Sequence, residues 1–229
     1  MKILLVEDEL VYQLATSKFL KQQGYLCETA SDYKEALNKM LIYEYDCIIL
    51  DLNLPDGNGI ALLNKLKKEK PDSAVIIASS KSTTEEKIEG LTSGSDDYIT
   101  KPYNFNELEA RLKAIIRRKN FKGSQVIEFK EINVDINSKT VTVNGKTISL
   151  THTEYDLLVY FIGHKNKVVT KEAIAENVRG DDMDQADSFK FIYSHIRNLR
   201  KKLLDAGSGD YIHAIYGTGY NWHAAETKP

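Results

Sequence analysis

The chain has 229 residues, of which 28% are charged and 42% hydrophobic, and its formal net charge is −2. This composition excludes general disorder, and the length is enough for two domains of ordinary size. A net charge near zero excludes a uniformly basic coat, so any contact with nucleic acid must come from a local basic surface. The first apolar run, residues 2–6, is short and is followed by acids, which predicts neither a signal peptide nor a membrane span and favours the cytoplasm. Cys27 and Cys47 lack metal-ligand spacing, so we expect them to be reduced core residues.

Residues 1–118 alternate short apolar strands with helical patterns, which predicts a parallel sheet covered by helices on both faces. In the first helix the spacing predicts a buried apolar stripe. In the last helix the spacing predicts another, after a cap at Asn104. The predicted strands are Lys2 to Val6, Leu26 to Thr29, Cys47 to Leu50, Val75 to Ala78 and Tyr98 to Thr100. The two stripes are Val11, Leu14, Ala15 and Phe19, and then Phe105, Leu108, Leu112 and Ile115.

The apolar period is lost near Arg117, and we predict a polar linker over residues 119–124 and a second domain over residues 125–225. Four short β-like segments open this domain and predict an antiparallel sheet. Three helices follow: one is capped by Thr151 with Glu154, one opens near Thr170, and one covers residues 186–204. Residues 211–215 and 220–223 flank a Gly-Thr-Gly turn and predict a terminal hairpin.

Polar side chains follow several strands of the first predicted sheet. Because ligands collect at the carboxyl ends of parallel strands, we expect these side chains to form one site. A carboxylate can accept a phosphoryl group if the repulsion between anions is neutralised, and further carboxylates can hold Mg²⁺ for this purpose. An ammonium and a hydroxyl can bind the transferring oxygens. The residues in question are Glu7, Asp8, Asp51, Ser79 and Lys101.

These residues lie in motifs that resemble those of the receiver domains of two-component response regulators, and the resemblance covers the whole first domain. It implies the flavodoxin-like α/β fold, a five-stranded parallel sheet of order 2-1-3-4-5. The matching segments are Val-Glu-Asp-Glu at 6–9, Leu-Asp-Leu-Asn-Leu-Pro-Asp-Gly at 50–57, the hydroxyl of Ser79, and Gly-Ser-Asp-Asp-Tyr-Ile-Thr-Lys-Pro at 94–102.

The resemblance also implies roles for individual residues. Asp51 would take the phosphoryl group from a sensor histidine kinase, and Ser79 and Lys101 would bind that group. Mg²⁺ would be held by Asp8, Asp51 and the backbone carbonyl of Asn53, with Glu7 nearby. Tyr98 would be an aromatic switch that turns inward with Ser79, and a cis peptide would precede Pro102. This chain has Ser79-Ser80 where the family usually has Thr-Ala, so we expect retained chemistry and a slightly looser switch.

Charged residues near the last receiver helix match those that pair across a symmetric dimer in the OmpR/PhoB subfamily. By this resemblance we expect Lys87 to pair with Glu107, Asp97 with Arg111, and Asp96 with Arg118 in a homodimer that forms on activation.

The second domain resembles the winged helix-turn-helix effector of the same subfamily, an α+β fold that binds promoter DNA at direct repeats. Its third helix carries an apolar stripe of Phe189, Ile192, Ile196, Leu199 and Leu203, which we expect to be core. The opposite face would contact the major groove or its phosphates, and the Gly-Thr-Gly hairpin would be the wing. The predicted DNA-contacting residues are Lys190, Ser194, Arg197, Asn198, Arg200, Lys201, Tyr216 and Thr218.

Two positions depart from the subfamily pattern. Tyr216 replaces the usual minor-groove arginine, and Arg179 replaces the usual tryptophan after the second helix, so we expect the wing contacts to depart from the subfamily pattern. The loop over residues 179–187 is acidic, and by resemblance we expect it to meet RNA polymerase. Its acids are Asp181, Asp182, Asp184 and Asp187.

Three other functions compete with a phosphorylated transcription regulator. An aspartate-nucleophile phosphatase needs a second acid two residues after the nucleophile, where this chain has Asn53. A nucleotide-binding role lacks a glycine-rich loop after the first strand. A regulator that binds DNA without phosphorylation is the nearest rival, and the complete acidic set argues against it. We therefore predict that the protein is not an enzyme.

Overall fold

A computed structural model of the chain describes residues 1–121, 123–179 and 185–224. The chain forms two compact units, the first over Met1–Gly123 and the second beginning at Ser124. The last helix of the first unit continues to Phe121, so the first residues of the predicted linker are helical rather than irregular. Within the described residues, no helix is both long enough and apolar enough to cross a membrane.

The first unit contains a parallel sheet of order β2-β1-β3-β6-β7, which is the predicted 2-1-3-4-5 order of its five main strands. A two-residue hairpin, β4 with β5, was not predicted. The strands are β1 (Lys2–Val6), β2 (Leu26–Ala30), β3 (Cys47–Leu50), β4 (Asn53–Leu54), β5 (Gly57–Asn58), β6 (Val75–Ser79) and β7 (Asp97–Thr100). The helices are α1 (Leu10–Gln22), α2 (Tyr33–Ile42), α3 (Gly59–Glu69), α4 (Thr84–Thr92) and α5 (Phe105–Phe121).

The sheet is buried on both faces, as continuous apolar strands require. On one face, side chains of α1 and α5 pack against alternate strand residues; on the other, side chains of α2 and α3 do so. The predicted α5 stripe is confirmed, because Leu108, Leu112 and Ile115 are buried. Cys27 and Cys47 are buried free thiols, as expected. This packing fixes the carboxyl ends of the strands, where the polar residues lie.

The predicted apolar stripe of α1 was wrong at Val11, Leu14 and Ala15, which are exposed, and only its last member, Phe19, packs against the core. Val11 and Leu14 are 80% and 60% exposed, and the side chains that face the sheet include Thr16 and Leu20. A buried threonine is tolerated because its hydroxyl lies 3.0 Å from the hydroxyl of Tyr103 and can share a hydrogen bond with it. Apolar periodicity therefore gave the wrong phase for this helix.

The second unit has two small antiparallel sheets, of order β11-β10-β9-β8 and β12-β14-β13, and three helices. The terminal hairpin gains a third strand, β12, that the sequence did not suggest. The strands are β8 (Val126–Phe129), β9 (Ile132–Asp135), β10 (Thr140–Val143), β11 (Lys146–Ile148), β12 (Val168–Thr170), β13 (Ile212–Ile215) and β14 (Gly219–Trp222). The helices are α6 (His152–Gly163), α7 (Lys171–Arg179) and α8 (Gln185–Asp205).

The core of the second unit is centred on Trp222, which is 1% exposed. Its indole stacks on Phe161 of α6 and packs against the ring of Phe129 of β8 in a T-shaped contact. These contacts connect β14 to α6 and to the four-stranded sheet of the second unit. The predicted stripe of α8 is confirmed, because Ile192, Ile196, Leu199 and Leu203 are buried and Phe189 is half-buried. This packing leaves the opposite face of α8 exposed.

The predicted cap of α6 is also confirmed and has an additional partner. Glu154 accepts hydrogen bonds from the Thr151 backbone nitrogen at 2.8 Å and from Lys202 Nζ at 2.7 Å. Burial opposes ionisation of Glu154, but the bonds from Lys202 and Thr151 outweigh it and lower the pKa of this carboxyl. The contact ties the start of α6 to α8.

Glu154→Gln is expected to lower the free energy of unfolding of the second unit by about 1–2 kcal/mol at pH 7. The folded pKa of Glu154 lies below its ordinary value, so the carboxylate stabilises the fold above that ordinary value. This stabilisation is lost as pH falls through the lowered pKa, and the two proteins should converge there. Urea unfolding followed by the fluorescence of Trp222, the single tryptophan, measures the difference. Equal midpoints at pH 7 would contradict the role of this carboxylate.

Candidate functional site

Three carboxylates meet at the carboxyl ends of β1 and β3. Glu7 and Asp8 follow β1, Asp51 follows β3, and one oxygen from each lies within 4.8 Å of the others. Glu7 and Asp51 are buried, at 1% and 3% exposure, whereas Asp8 is exposed. Carboxylates at this spacing suit a hard divalent cation such as Mg²⁺, which takes oxygen ligands. Because Asp8 is exposed, such an ion could reach the three carboxylates from solvent.

Lys101, the residue after β7, brings a positive charge into this pocket. Its Nζ lies 2.5 Å from Asp51 Oδ2 and 2.7 Å from Glu7 Oε1. Burial alone would lower the pKa of Lys101, but the hydrogen bonds to Asp51 and Glu7 reverse this effect and raise it. A cis peptide precedes Pro102, as the family resemblance implied. The ammonium is therefore charged and held against the carboxylate of Asp51.

The pocket still carries excess negative charge. With all groups ionised, Lys101 offsets one of the three carboxylates, so two negative charges remain. Burial raises the pKa of Glu7, although the hydrogen bond from Lys101 acts in the opposite direction. A divalent cation would match the remaining charge.

Hydrogen bonds connect Asp51 to the loop that follows β6. The Asn53 backbone nitrogen donates to Asp51 Oδ1 at 3.1 Å, and the Asn53 side-chain nitrogen donates to Ser80 Oγ at 3.2 Å. The hydroxyl of the neighbouring Ser79 accepts a bond from the Lys81 backbone nitrogen at 3.3 Å. The serine that replaces the usual alanine thus touches the residue two positions after Asp51. This contact was not predicted, because it depends on how two loops approach each other.

The Tyr98 side chain points inward and contacts the loop that follows β6. Its ring is 8% exposed, and its hydroxyl donates to the Lys81 backbone oxygen at 2.8 Å. Burial raises the pKa of Tyr98 even though a hydrogen bond with Ser79 opposes the shift. Tyr98 therefore links β7 to the loop that carries Ser79.

Gly90 of α4 makes room for this tyrosine. A Cβ at this position would lie 2.6 Å from Ile77 Cδ1 and 3.1 Å from the Tyr98 ring. Gly90 was not among the predicted site residues. An isolated glycine inside a helical pattern was the available signal, because such a residue usually has a packing reason.

The six charged residues predicted to form a dimer interface have several partners within one chain. Arg111 contacts Asp97 at 2.9 Å and Glu107 at 2.7 Å. Asp96 contacts Lys119 at 3.1 Å and Lys67 at 3.4 Å. The Asp97–Arg111 pair therefore needs no second molecule to form. Arg118 is exposed and Lys87 is half-buried.

The face of α8 opposite its buried stripe is polar and exposed. On α8, the residues that are both exposed and predicted to contact DNA are Lys190, Ser194, Arg197, Asn198, Arg200 and Lys201. Arg200 donates from Nε to Asp210 Oδ1 at 2.8 Å and forms a second bond through Nη2, so its guanidinium already has a carboxylate partner. Ser194 donates its hydroxyl to the Lys190 backbone oxygen at 2.7 Å. Arg197, Asn198 and Lys201 are therefore the side chains of α8 that we expect to be most available for contact with DNA.

The wing is the turn between β13 and β14. Tyr216 is fully exposed at its tip, and Gly217 has a φ of 75°, which favours glycine. The Thr218 backbone nitrogen donates to the Ile215 oxygen at 3.1 Å and closes the turn. The structure therefore presents an aromatic side chain where the subfamily presents arginine. Asp181, Asp182 and Asp184 lie outside the described part of the chain, as do the side chains of Arg179 and Asp187. The predicted acidic loop over residues 179–187 is wrong at its end, because α8 already begins at Gln185.

Comparison with known proteins identifies both halves of the chain. The family described as "Response regulator receiver domain" matches residues 3–113, and "Transcriptional regulatory protein, C terminal" matches residues 145–222. Response regulator ArlR of Staphylococcus aureus is 39% identical over 219 residues, which cover 96% of this chain and 98% of ArlR.

Some solved structures match about half of the chain, and others match nearly all of it. A CheY-like response regulator receiver domain protein of Methanospirillum hungatei is 30% identical with a TM-score of 0.51, covering 53% of this chain and 98% of that one. DrrB, an OmpR/PhoB homologue of Thermotoga maritima, is 28% identical with a TM-score of 0.47, covering 97% of this chain and 99% of DrrB. The two family matches and the match to ArlR show that the chain belongs to the two-component response regulators, with a receiver domain followed by a DNA-binding transcriptional regulatory domain.

Proposed function

We propose that Asp51 accepts a phosphoryl group from a sensor histidine kinase, and that the phosphorylated protein dimerises in the cytoplasm and binds promoter DNA at direct repeats. The observation that carries this proposal is the position of Lys101, whose ammonium lies 2.5 Å from Asp51 Oδ2 inside a pocket of three carboxylates. A carboxylate held in this way is oriented for attack on phosphorus. Its buried surroundings make each charge contact stronger than it would be in water.

The residues divide the work of phosphoryl transfer. Asp8, Asp51 and the backbone carbonyl of Asn53 would hold Mg²⁺, with Glu7 nearby, and the ion would offset the charge on the incoming oxygens. One Asp51 oxygen attacks phosphorus while the bond to the kinase histidine breaks. Lys101 and the Ser79 hydroxyl then bind phosphoryl oxygens, so catalysis consists of positioning and charge stabilisation.

Tyr98 connects this chemistry to the surface of α4 and β7. Its hydrogen bond to Lys81 fixes the loop after Ser79, so a shift of the Ser79 hydroxyl toward a phosphoryl group would favour the inward ring. Ile88 and Leu91 of α4 are 55% and 47% exposed next to the predicted ion pairs. An apolar patch rimmed by charges is typical of a protein–protein interface.

The DNA contacts are proposed for α8 and the wing. Arg197, Asn198 and Lys201 are exposed on one face of a helix whose other face is buried, which is the arrangement of a recognition helix. Lys190, Ser194, Arg200, Tyr216 and Thr218 complete the proposed surface. For the acidic segment over residues 179–187 we propose contact with RNA polymerase, and charge reversal that leaves transcription unchanged would contradict this contact.

The central experiment treats the wild type and Asp51→Asn with acetyl phosphate and Mg²⁺, followed by intact mass and binding to direct-repeat DNA. Asp72→Asn, an exposed acid distant in sequence, is the matched control. We expect one added phosphate and tighter DNA binding in the wild type and in Asp72→Asn only. No mass gain in the wild type, with equal DNA binding by all three proteins, would indicate a regulator that works without phosphorylation.

Dimerisation has its own test. Sedimentation of the fully phosphorylated protein should show a dimer, and Arg118→Glu should weaken it. An unchanged monomer after complete phosphorylation would remove the dimer from the proposal.

Ser80→Ala is expected to shorten the lifetime of phosphorylated Asp51 by roughly two- to fivefold. The substitution removes the hydrogen bond that holds the Asn53 amide across the pocket, and a bond of this kind contributes about 0.5–1 kcal/mol. Water then reaches the phosphoryl group more easily. Loss of phosphate from the purified protein measures this rate, with Ser82→Ala, in the same loop, as the control. Equal lifetimes for Ser80→Ala and the wild type would show that the Asn53–Ser80 contact does not guard the site.

A further inference from the structure

A group of polar side chains in the second unit lies outside the proposed DNA surface on α8. His213 of β13 is the register partner of Asn221 of β14. The next ladder contact is a hydrogen bond from the His223 backbone nitrogen to the Tyr211 oxygen at 3.2 Å. Residues two apart on a strand, and register partners across strands, share a face of a sheet. His213, Asn221 and His223 therefore share one face, and Trp222 between them points to the other, where the core lies.

The two histidines are in ring contact, and each of the three side chains has one buried polar atom without a hydrogen-bond partner among the described residues. The imidazole centroids of His213 and His223 are 4.1 Å apart. Within the described residues, His213 Nε2, His223 Nδ1 and Asn221 Oδ1 are all buried atoms without a hydrogen-bond partner. Buried polar atoms in folded proteins almost always have a partner, so three unsatisfied ones on a single hairpin face call for a bound species.

We propose that His213, Asn221 and His223 form a binding site for a borderline divalent cation such as Zn²⁺. Two imidazole nitrogens and an amide oxygen supply three ligands, and water supplies a fourth in the tetrahedral arrangement that Zn²⁺ favours. Imidazole ligands select zinc, copper or nickel over Mg²⁺, which prefers oxygen, so this site differs in chemistry from the carboxylate pocket of the receiver.

The surroundings suit a metal site on a rigid element. The donors project from paired strands, whose backbone hydrogen bonds fix their spacing. A bound ion would join β13 to β14 directly below the wing turn that presents Tyr216. Metal binding would therefore stabilise the wing hairpin.

The test uses the untagged full chain carrying Asp51→Asn, which removes one of the three carboxylates of the receiver pocket, with excess Mg²⁺ to compete with Zn²⁺ for the other two. Zn²⁺ is titrated by calorimetry, and Cu²⁺ by quenching of Trp222 fluorescence. We expect one Zn²⁺ per chain. His213→Gln and His223→Gln should each weaken binding by more than the roughly 10–100-fold that loss of a supporting group costs. His152→Gln, which changes a histidine at the start of α6, should leave the affinity unchanged.

A second measurement tests the proposal without the histidine substitutions, in case those variants fold poorly. In the Asp51→Asn chain with native histidines, Zn²⁺ should shift the imidazole nitrogen resonances of His213 and His223 and leave those of His152, His164 and His195 in place. Failure to bind Zn²⁺, an affinity that His213→Gln and His223→Gln do not change, or unshifted resonances of the pair would each overturn the proposal. Because Asp51→Asn removes the phosphoryl acceptor, this outcome is independent of the proposed phosphorylation.

Discussion

Lys101→Met is expected to slow phosphorylation of Asp51 by about 10²–10³-fold, the usual cost of removing one preorganised group that stabilises transition-state charge. Methionine has a similar length but leaves Glu7 and Asp51 without the ammonium that now lies between them. The transferring phosphoryl oxygens then meet only carboxylates. The rate is measured by intact mass after timed incubation with acetyl phosphate and Mg²⁺.

Mg²⁺ affinity separates this loss from unfolding. Removing Lys101 makes the pocket more negative, so Mg²⁺ should bind at least as tightly while phosphorylation fails. Lys67→Met is the matched control, because Lys67 is a partly buried lysine of the same unit that contacts Asp96 rather than the pocket. A Lys101→Met protein that binds Mg²⁺ and is phosphorylated at the wild-type rate would show that Lys101 does not act in transfer.

The main sheet and the acidic pocket could be predicted because both depend on local sequence. Continuous apolar strands indicate burial on both faces, and topology brings the residues after those strands to one edge. The packing phase of α1 could not be predicted. Thr16 is buried, and its hydroxyl partner, Tyr103, lies 87 residues later in the chain. β12 has three residues and forms only by pairing with the distant β14.

The details of both functional surfaces also depend on distant contacts. The buried stripe of α8 follows from helical spacing, and the exposed face follows from the stripe. The pairing of Arg200 with Asp210 does not follow from helical spacing, because the loop after α8 has to turn back along the helix to form it. Likewise, Gly90 has meaning only when Tyr98 packs against it. Sequence patterns therefore indicate which residues face the site better than they indicate how those residues pair.

Gly219→Ala is expected to lower the free energy of unfolding of the second unit by about 3 kcal/mol. Gly219 is paired with Thr170, and an added Cβ would lie 2.0 Å from the Val169 backbone oxygen and 2.9 Å from the Thr170 Cα. A backbone cannot rotate away from this clash as a flexible side chain would, so β12 must separate from β14. Urea unfolding followed by Trp222 fluorescence measures the loss.

Gly163→Ala provides the control, because a Cβ at this α6 position meets nothing within 4 Å. Alanine is favoured over glycine in a helix by up to about 1 kcal/mol, so this variant should be unchanged or slightly more stable. The wing turn adjoins Gly219, so Gly219→Ala should also weaken binding to direct-repeat DNA, while phosphorylation of Asp51 in the first unit continues. Equal urea midpoints for Gly219→Ala and the wild type would mean that β12 does not pair closely with β14, and the wing would then lack the support that this sheet provides.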